Sequence, residues 1–156
     1  MNSEDRAAVP LPPPLIFFAC LGIAGIVDYV FPIRSDNWPW MPRIIVGGIL
    51  VIASGIIAAG AFRALIKNKT PIDPSKPTLR IVRDGSYRFS RNPMYLSLVM
   101  MFAGLTVLSC SLWLLLALFA FVYILSIVVV KREELYLSRK FGSEYAAYKA
   151  SVRRWI

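Results

Sequence analysis

The chain has 156 residues, enough for one domain, and 57% of them are hydrophobic; its mean hydropathy of +0.59 exceeds what a soluble domain usually carries. There is no histidine, so any chemistry must proceed without the commonest general base and metal ligand, and the two cysteines, Cys20 and Cys110, lie in apolar runs and form neither a disulfide framework nor a metal cluster. The net charge of +9 does not indicate nucleic acid: fourteen of the eighteen Lys and Arg residues fall in segments 67–91 and 131–154, each directly after an apolar run, as in loops facing anionic lipid.

Residues 1–14 are polar and then proline-rich, which predicts an extended lead-in rather than a helix. The apolar run 15–31 lacks a basic flank and a small-residue cleavage site, so it reads as a retained span rather than a signal sequence. Asp28 falls one turn from its end, where a carboxylate can reach the interface or a neighbouring helix, and the interfacial charge is the favoured reading. Residues 32–43 hold Trp38, Trp40 and three prolines, a composition suited to a short loop at a membrane boundary. The second span, 44–66, has small residues at four-residue spacing, Ser54 with Ala58 and Gly55 with Ala59, which predicts close approach of another helix there.

Segment 67–93 is rich in turn formers: Thr70-Pro71, Asp73-Pro74, Asp84-Gly85 and Ser90-Arg91-Asn92-Pro93. Pro93 suits the first turn of a third span, with Asn92 as its N-cap. Residues 94–130 contain no formal charge over 37 positions, whereas one span needs about 20 residues. The run must fold back, and Ser109-Cys110-Ser111 is its most polar point, so spans 94–109 and 112–130 are expected around a tight hairpin. Beyond it, Leu137, Phe141, Tyr145, Tyr148 and Val152 line one helical face among lysines and arginines, predicting an amphipathic helix with a break at Gly142.

These elements make an all-α integral membrane protein, a single domain of about four transmembrane helices plus a C-terminal amphipathic helix. An even number of spans puts both termini and the central loop on one face. That face carries the basic residues, while the opposite one has only Arg34 and Arg43, so the positive-inside rule makes it cytoplasmic. Segments 67–93 and 131–156 flank the last hairpin and must meet there, and any site for a soluble cofactor is expected between them. There is no G-x-G-x-x-G fingerprint of a soluble dinucleotide fold.

The stretch DGSYRFSRNPMYLS from Asp84 to Ser97, followed by Glu133-Glu134, Leu137, Phe141-Gly142, Tyr145 and Tyr148, resembles the paired signature of the isoprenylcysteine carboxyl methyltransferase and phospholipid methyltransferase superfamily. The resemblance runs from about Thr70 to Arg154. It implies S-adenosylmethionine as cofactor and a lipophilic methyl acceptor: a prenylcysteine carboxylate, a phospholipid amine or a small hydrophobic thiol or amine. Carried over by position, cofactor contacts fall on Leu79, Arg80, Ile81, Val82 and Tyr87, then on Asn92, Pro93, Met94 and Tyr95, and finally on Glu133 and Glu134. Arg91 and Arg132 are candidates for positioning substrate or cofactor, and no metal is implied. Two residues depart from the pattern: Asn92 replaces a frequent histidine, and Ser97 stands where glycine is usual.

The chemistry suits these residue types. Carboxylates can hold ribose hydroxyls or an ammonium, arginine can pair with a carboxylate, and tyrosine faces can pack on adenine or meet a sulfonium. Tyr145 and Tyr148 are expected as interface residues, and Arg153 and Arg154 as lipid-headgroup partners. Two alternatives stay open: a sterol-reductase-type membrane enzyme using NADPH, and a non-enzymatic membrane scaffold or lipid-binding protein.

Overall fold

In a computed structural model, residues 9–34, 38–73 and 76–156 are described. The order is α1 (Pro13–Val30), α2 (Trp40–Lys67), a 3₁₀ turn (Gly85–Arg88), α3 (Pro93–Ser109), α4 (Leu112–Ile124), a π-helical turn (Leu125–Val130) and α5 (Lys131–Ser151). The protein is an all-helical integral membrane protein. Three helices are long and apolar enough to cross a bilayer, Pro13–Val30, Trp40–Lys67 and the continuous Leu112–Ser151, and α3 is a shorter apolar one.

Most of the expected lead-in, residues 1–8, lies outside the described residues. Its last two prolines are helical instead: Pro13 and Pro14 begin α1, where a missing N–H costs no helical bond. In the same way α2 starts at Trp40, taking up four residues of the expected boundary loop. Cys110 adopts left-handed φ of 52° after α3, and the Ser111 side chain accepts from Leu114 N to cap α4, which produces the hairpin at 109–111. The last span and the amphipathic helix are not separated by a loop. They join through the π turn, and the break comes at Gly142, whose φ of 48° and ψ of −119° kink α5.

Helix α2 packs along α3, and α1 along α4, with α3 also touching α4 and α1. Phe17, Phe102 and Phe121 knit α1, α3 and α4 together, their ring centroids 5.5 to 5.7 Å apart, over buried Leu125, Val129 and Val130. The close approach of α2 to α3 occurs at Gly47 and Gly104, where an added Cβ on Gly104 would come within 3.0 Å of the Gly47 carbonyl oxygen. Of the small pairs expected at such a contact, Ser54 is buried but Gly55 faces outward with open space around it.

Asp28 is not an exposed charge but one paired with a neighbouring helix end. It is buried at the far end of α1, accepting from Ser111 Oγ at 2.7 Å and from Arg34 Nη2 at 2.7 Å. Leu112 N donates to the Ile33 carbonyl and Trp113 Nε1 to that of Phe31. The two chain reversals at this end are thereby tied to each other.

Candidate functional site

At the opposite end, the segment joining α2 to α3 folds over the start of α3. Lys69 takes left-handed φ of 52°, Thr70 N bonds to Leu65 O and Lys69 N to Ile66 O, so α2 closes in a Schellman motif. Gly85, with φ of 56°, starts the 3₁₀ turn. A side chain there would press on the Gly60 carbonyl, so glycine lets the turn lie against α2. Ser86 Oγ anchors the turn on Ile57 O at 3.0 Å, and Tyr87 is carried inward, its carbonyl accepting from Tyr148 Oη at 2.8 Å.

Between this segment, α3 and α5 lies a cavity of about 680 Å³, within the range that holds small organic ligands. Of the expected site residues, Arg80, Ile81, Val82, Tyr87, Arg91, Asn92, Met94, Tyr95, Glu133 and Glu134 line it. Three do not: Leu79 points outward at 62% exposure, Pro93 is packed away beneath the first turn of α3, and Arg132 is on the outside of α5. Aliphatic side chains, among them Ala58, Leu65, Met94 and Leu98, form one wall, and the residues of α1's start, Pro12–Pro14, reach its rim.

The polar wall is assembled by bonds distant in sequence. Tyr95 Oη donates to Glu133 Oε2 at 2.8 Å. Arg91 Nη1 lies 3.2 Å from Glu134 Oε1, and Arg154 donates to both oxygens of the same carboxylate, from Nε at 3.1 Å and from Nη2 at 2.6 Å. The Arg91 side chain is 8% exposed and also faces Tyr145, Nη1 has only its ion pair with Glu134, and Nε makes no hydrogen bond among the described residues. Buried donors of that kind are rare unless a ligand or water satisfies them. Asn92 does not cap α3 with its side chain; its Nδ2 donates to the Arg154 carbonyl instead.

Burial pushes the Glu133 carboxyl above the usual range, the Tyr95 hydroxyl partly offsetting this and the Glu134 charge adding to it. Glu133 lies beyond the apolar stretch that ends at Val130. The Tyr87 and Tyr148 hydroxyls are pushed up, mainly by burial, and stay protonated donors.

Sequence reasoning did not assign Tyr145, Tyr148 or Thr70 to the cavity, although all three line it. The shared face of Leu137, Phe141, Tyr145 and Tyr148 was the available signal for the tyrosines. Arg154, expected among lipid headgroups, is an ion-pair partner of Glu134, and nothing in the local sequence announces that.

A family model described as phospholipid methyltransferase matches residues 42–144, well over half of the chain. The chain belongs to the phospholipid methyltransferase family. The match runs from the first turn of α2 to two residues beyond Gly142, so most of the cavity wall is built from family residues, while Pro12–Pro14, Tyr145 and Tyr148 lie outside it. As a member of the phospholipid methyltransferase family, this is a methyltransferase of the membrane. An uncharacterized protein of Haemophilus influenzae is 41% identical over 68 residues, covering 40% of this chain and the whole of that one. No solved structure matches the chain.

Proposed function

We propose that this protein transfers the methyl group of S-adenosylmethionine to a lipophilic acceptor at the cytoplasmic membrane face. The observation that carries the reading is the convergence, in one cavity, of the Glu133–Tyr95 pair with the buried Arg91 side chain, whose Nε makes no hydrogen bond among the described residues. The donor set fits the cofactor: Arg91 is placed for its carboxylate, Glu133 for its ammonium or ribose hydroxyls, and the rings of Tyr87 and Tyr95 for adenine or the sulfonium.

S-Adenosylmethionine supplies an electrophilic methyl group on a sulfonium that becomes neutral on transfer. The protein's part is then alignment and exclusion of water. Tyr95 holds Glu133 in one orientation, and the aliphatic wall of Ala58, Leu65, Met94 and Leu98 offers a dry surface for an apolar acceptor. The absence of histidine is no obstacle, because in-line displacement onto an available lone pair needs position more than a proton relay. The basic residues of 67–91 and 131–154 cluster at the cavity end, which supports its cytoplasmic placement.

Calorimetric titration of the detergent-purified protein with S-adenosylmethionine, and separately with NADPH, tests the reading. Saturable binding of the methyl donor, weakened in Glu133→Ala, is expected. No binding of it by folded protein overturns the proposal, leaving the reductase if NADPH binds and the scaffold if neither does.

A further inference from the structure

The chain beyond α5 does not leave the cavity. Val152 turns extended, with φ of −130° and ψ of 134°, and the next residues run back across the loop that precedes α3. Arg91 N donates to the Arg153 carbonyl at 3.0 Å. The Arg154 carbonyl accepts from Ser90 Oγ and from Asn92 Nδ2, both at 3.1 Å. Its guanidinium takes both oxygens of Glu134, and Trp155 packs against the aromatic core. A strap of three residues thus joins the 90–92 loop to α5.

The chemistry of Glu134 gives the strap a role. A buried carboxylate facing one arginine would draw that arginine into a paired geometry and consume its donors. Glu134 faces two, and Arg154 holds the closer, two-pronged contact at 2.6 and 3.1 Å, against a single approach of 3.2 Å for Arg91. Arg91 keeps this one ion-pair contact and a contact with Tyr145, and its Nε makes no hydrogen bond among the described residues.

We propose that Arg154 is a positioning residue: by occupying Glu134 and pinning Ser90 and Asn92 through its carbonyl, it holds Arg91 at the cavity with N–H groups available to an anionic group of the ligand. That the anionic group is the carboxylate of S-adenosylmethionine rests on the function proposed above. One consequence divides the acidic pair, since Glu133 serves the ligand and Glu134 serves the arginines.

The test compares Arg154→Ala and Arg154→Lys with the wild-type protein in detergent, reading S-adenosylmethionine affinity by calorimetry and, without ligand, hydrogen exchange of the Arg91 amide. Arg154→Ala is expected to weaken binding about tenfold, and Arg154→Lys, which keeps a charge near Glu134, to recover part of it. The Arg91 amide, bonded to the strap, is expected to exchange faster in Arg154→Ala. Wild-type affinity in Arg154→Ala, or a lysine variant no better than alanine, overturns the positioning role. Should the wild-type protein bind no S-adenosylmethionine, the functional reading falls, and the exchange measurement alone decides: faster Arg91 exchange sustains the strap's role and unchanged exchange removes it. If Arg154→Ala does not fold, the same readings on Arg154→Lys decide, with affinity and exchange both equal to wild type counting against the proposal.

Discussion

Tyr95 Oη donates to Glu133 at 2.8 Å, joining the first turn of α3 to the first turn of α5 across 38 residues of sequence. Removing that hydroxyl leaves a half-buried carboxylate without its donor. Tyr95→Phe is therefore expected to weaken S-adenosylmethionine binding by about tenfold, the worth of one hydrogen bond to a charged group. Calorimetry checks this, with an unchanged circular dichroism spectrum showing that the ring still packs.

The pH dependence follows from the raised Glu133 carboxyl. A carboxyl whose folded pKa exceeds its unfolded value binds its proton more tightly in the folded protein, so its contribution to stability is present at low pH and lost as pH rises through the folded pKa. Binding of a cationic ligand has the opposite preference, because it needs the ionised form. Across the same window, above the ordinary carboxylate range, ligand-free stability is expected to fall with rising pH while S-adenosylmethionine affinity grows. Glu133→Gln should flatten both profiles, and melting midpoints and dissociation constants measured over a pH series would contradict this if they kept their slope in the variant.

The α2–α3 contact admits no side chain at Gly104, where a Cβ would sit 2.8 Å from Val51 Cγ2 and 3.0 Å from a backbone oxygen of Gly47. Gly104→Ala is expected to cost about 2 kcal/mol by overpacking. Gly55→Ala, facing open space on the same pair of helices, should change stability by less than about 0.5 kcal/mol. Unfolding in mixed detergent distinguishes them, and equal effects would show that the helices part easily.

Ser111 caps α4 and donates to buried Asp28. Ser111→Ala is expected to destabilise the protein by about 2 kcal/mol, the upper end for a lost N-cap. It belongs to the end of the bundle away from the cavity, so cofactor affinity measured on the folded variant should stay at the wild-type level. A large loss of affinity would mean that the two ends are coupled.

What could be read from the residues was whatever local rules determine. A 37-residue run without charge had to double back, and the turn falls at Cys110 because a polar Ser-Cys-Ser step can cap the next helix. The basic segments and the paired motifs pointed to the cavity's two sides. What stayed hidden depends on partners far along the chain. Asp28 looks like a boundary charge until Ser111 and Arg34 close on it, and Arg154 looks like a headgroup contact until Glu134 meets it. Asn92 stands at the N-cap position of α3 as expected, but its side chain is taken by the carbonyl of a residue 62 positions away instead of by the helix.

The turn at Leu125–Val130 bears on how one helix meets two demands. There Lys131 N–H reaches back to Ser126 O, five residues instead of four, so one residue more than an α-helix requires is accommodated in the turn. An α-helix advances about 100° per residue, and the inserted residue shifts the angular phase of everything after it by that order. Phe121 before the turn and Leu125, Val129 and Val130 within it pack into the bundle; downstream, the acidic pair faces the cavity. The turn thus lets one continuous helix pack Phe121 and Leu125 into the bundle core and still present Glu133 and Glu134 to the cavity.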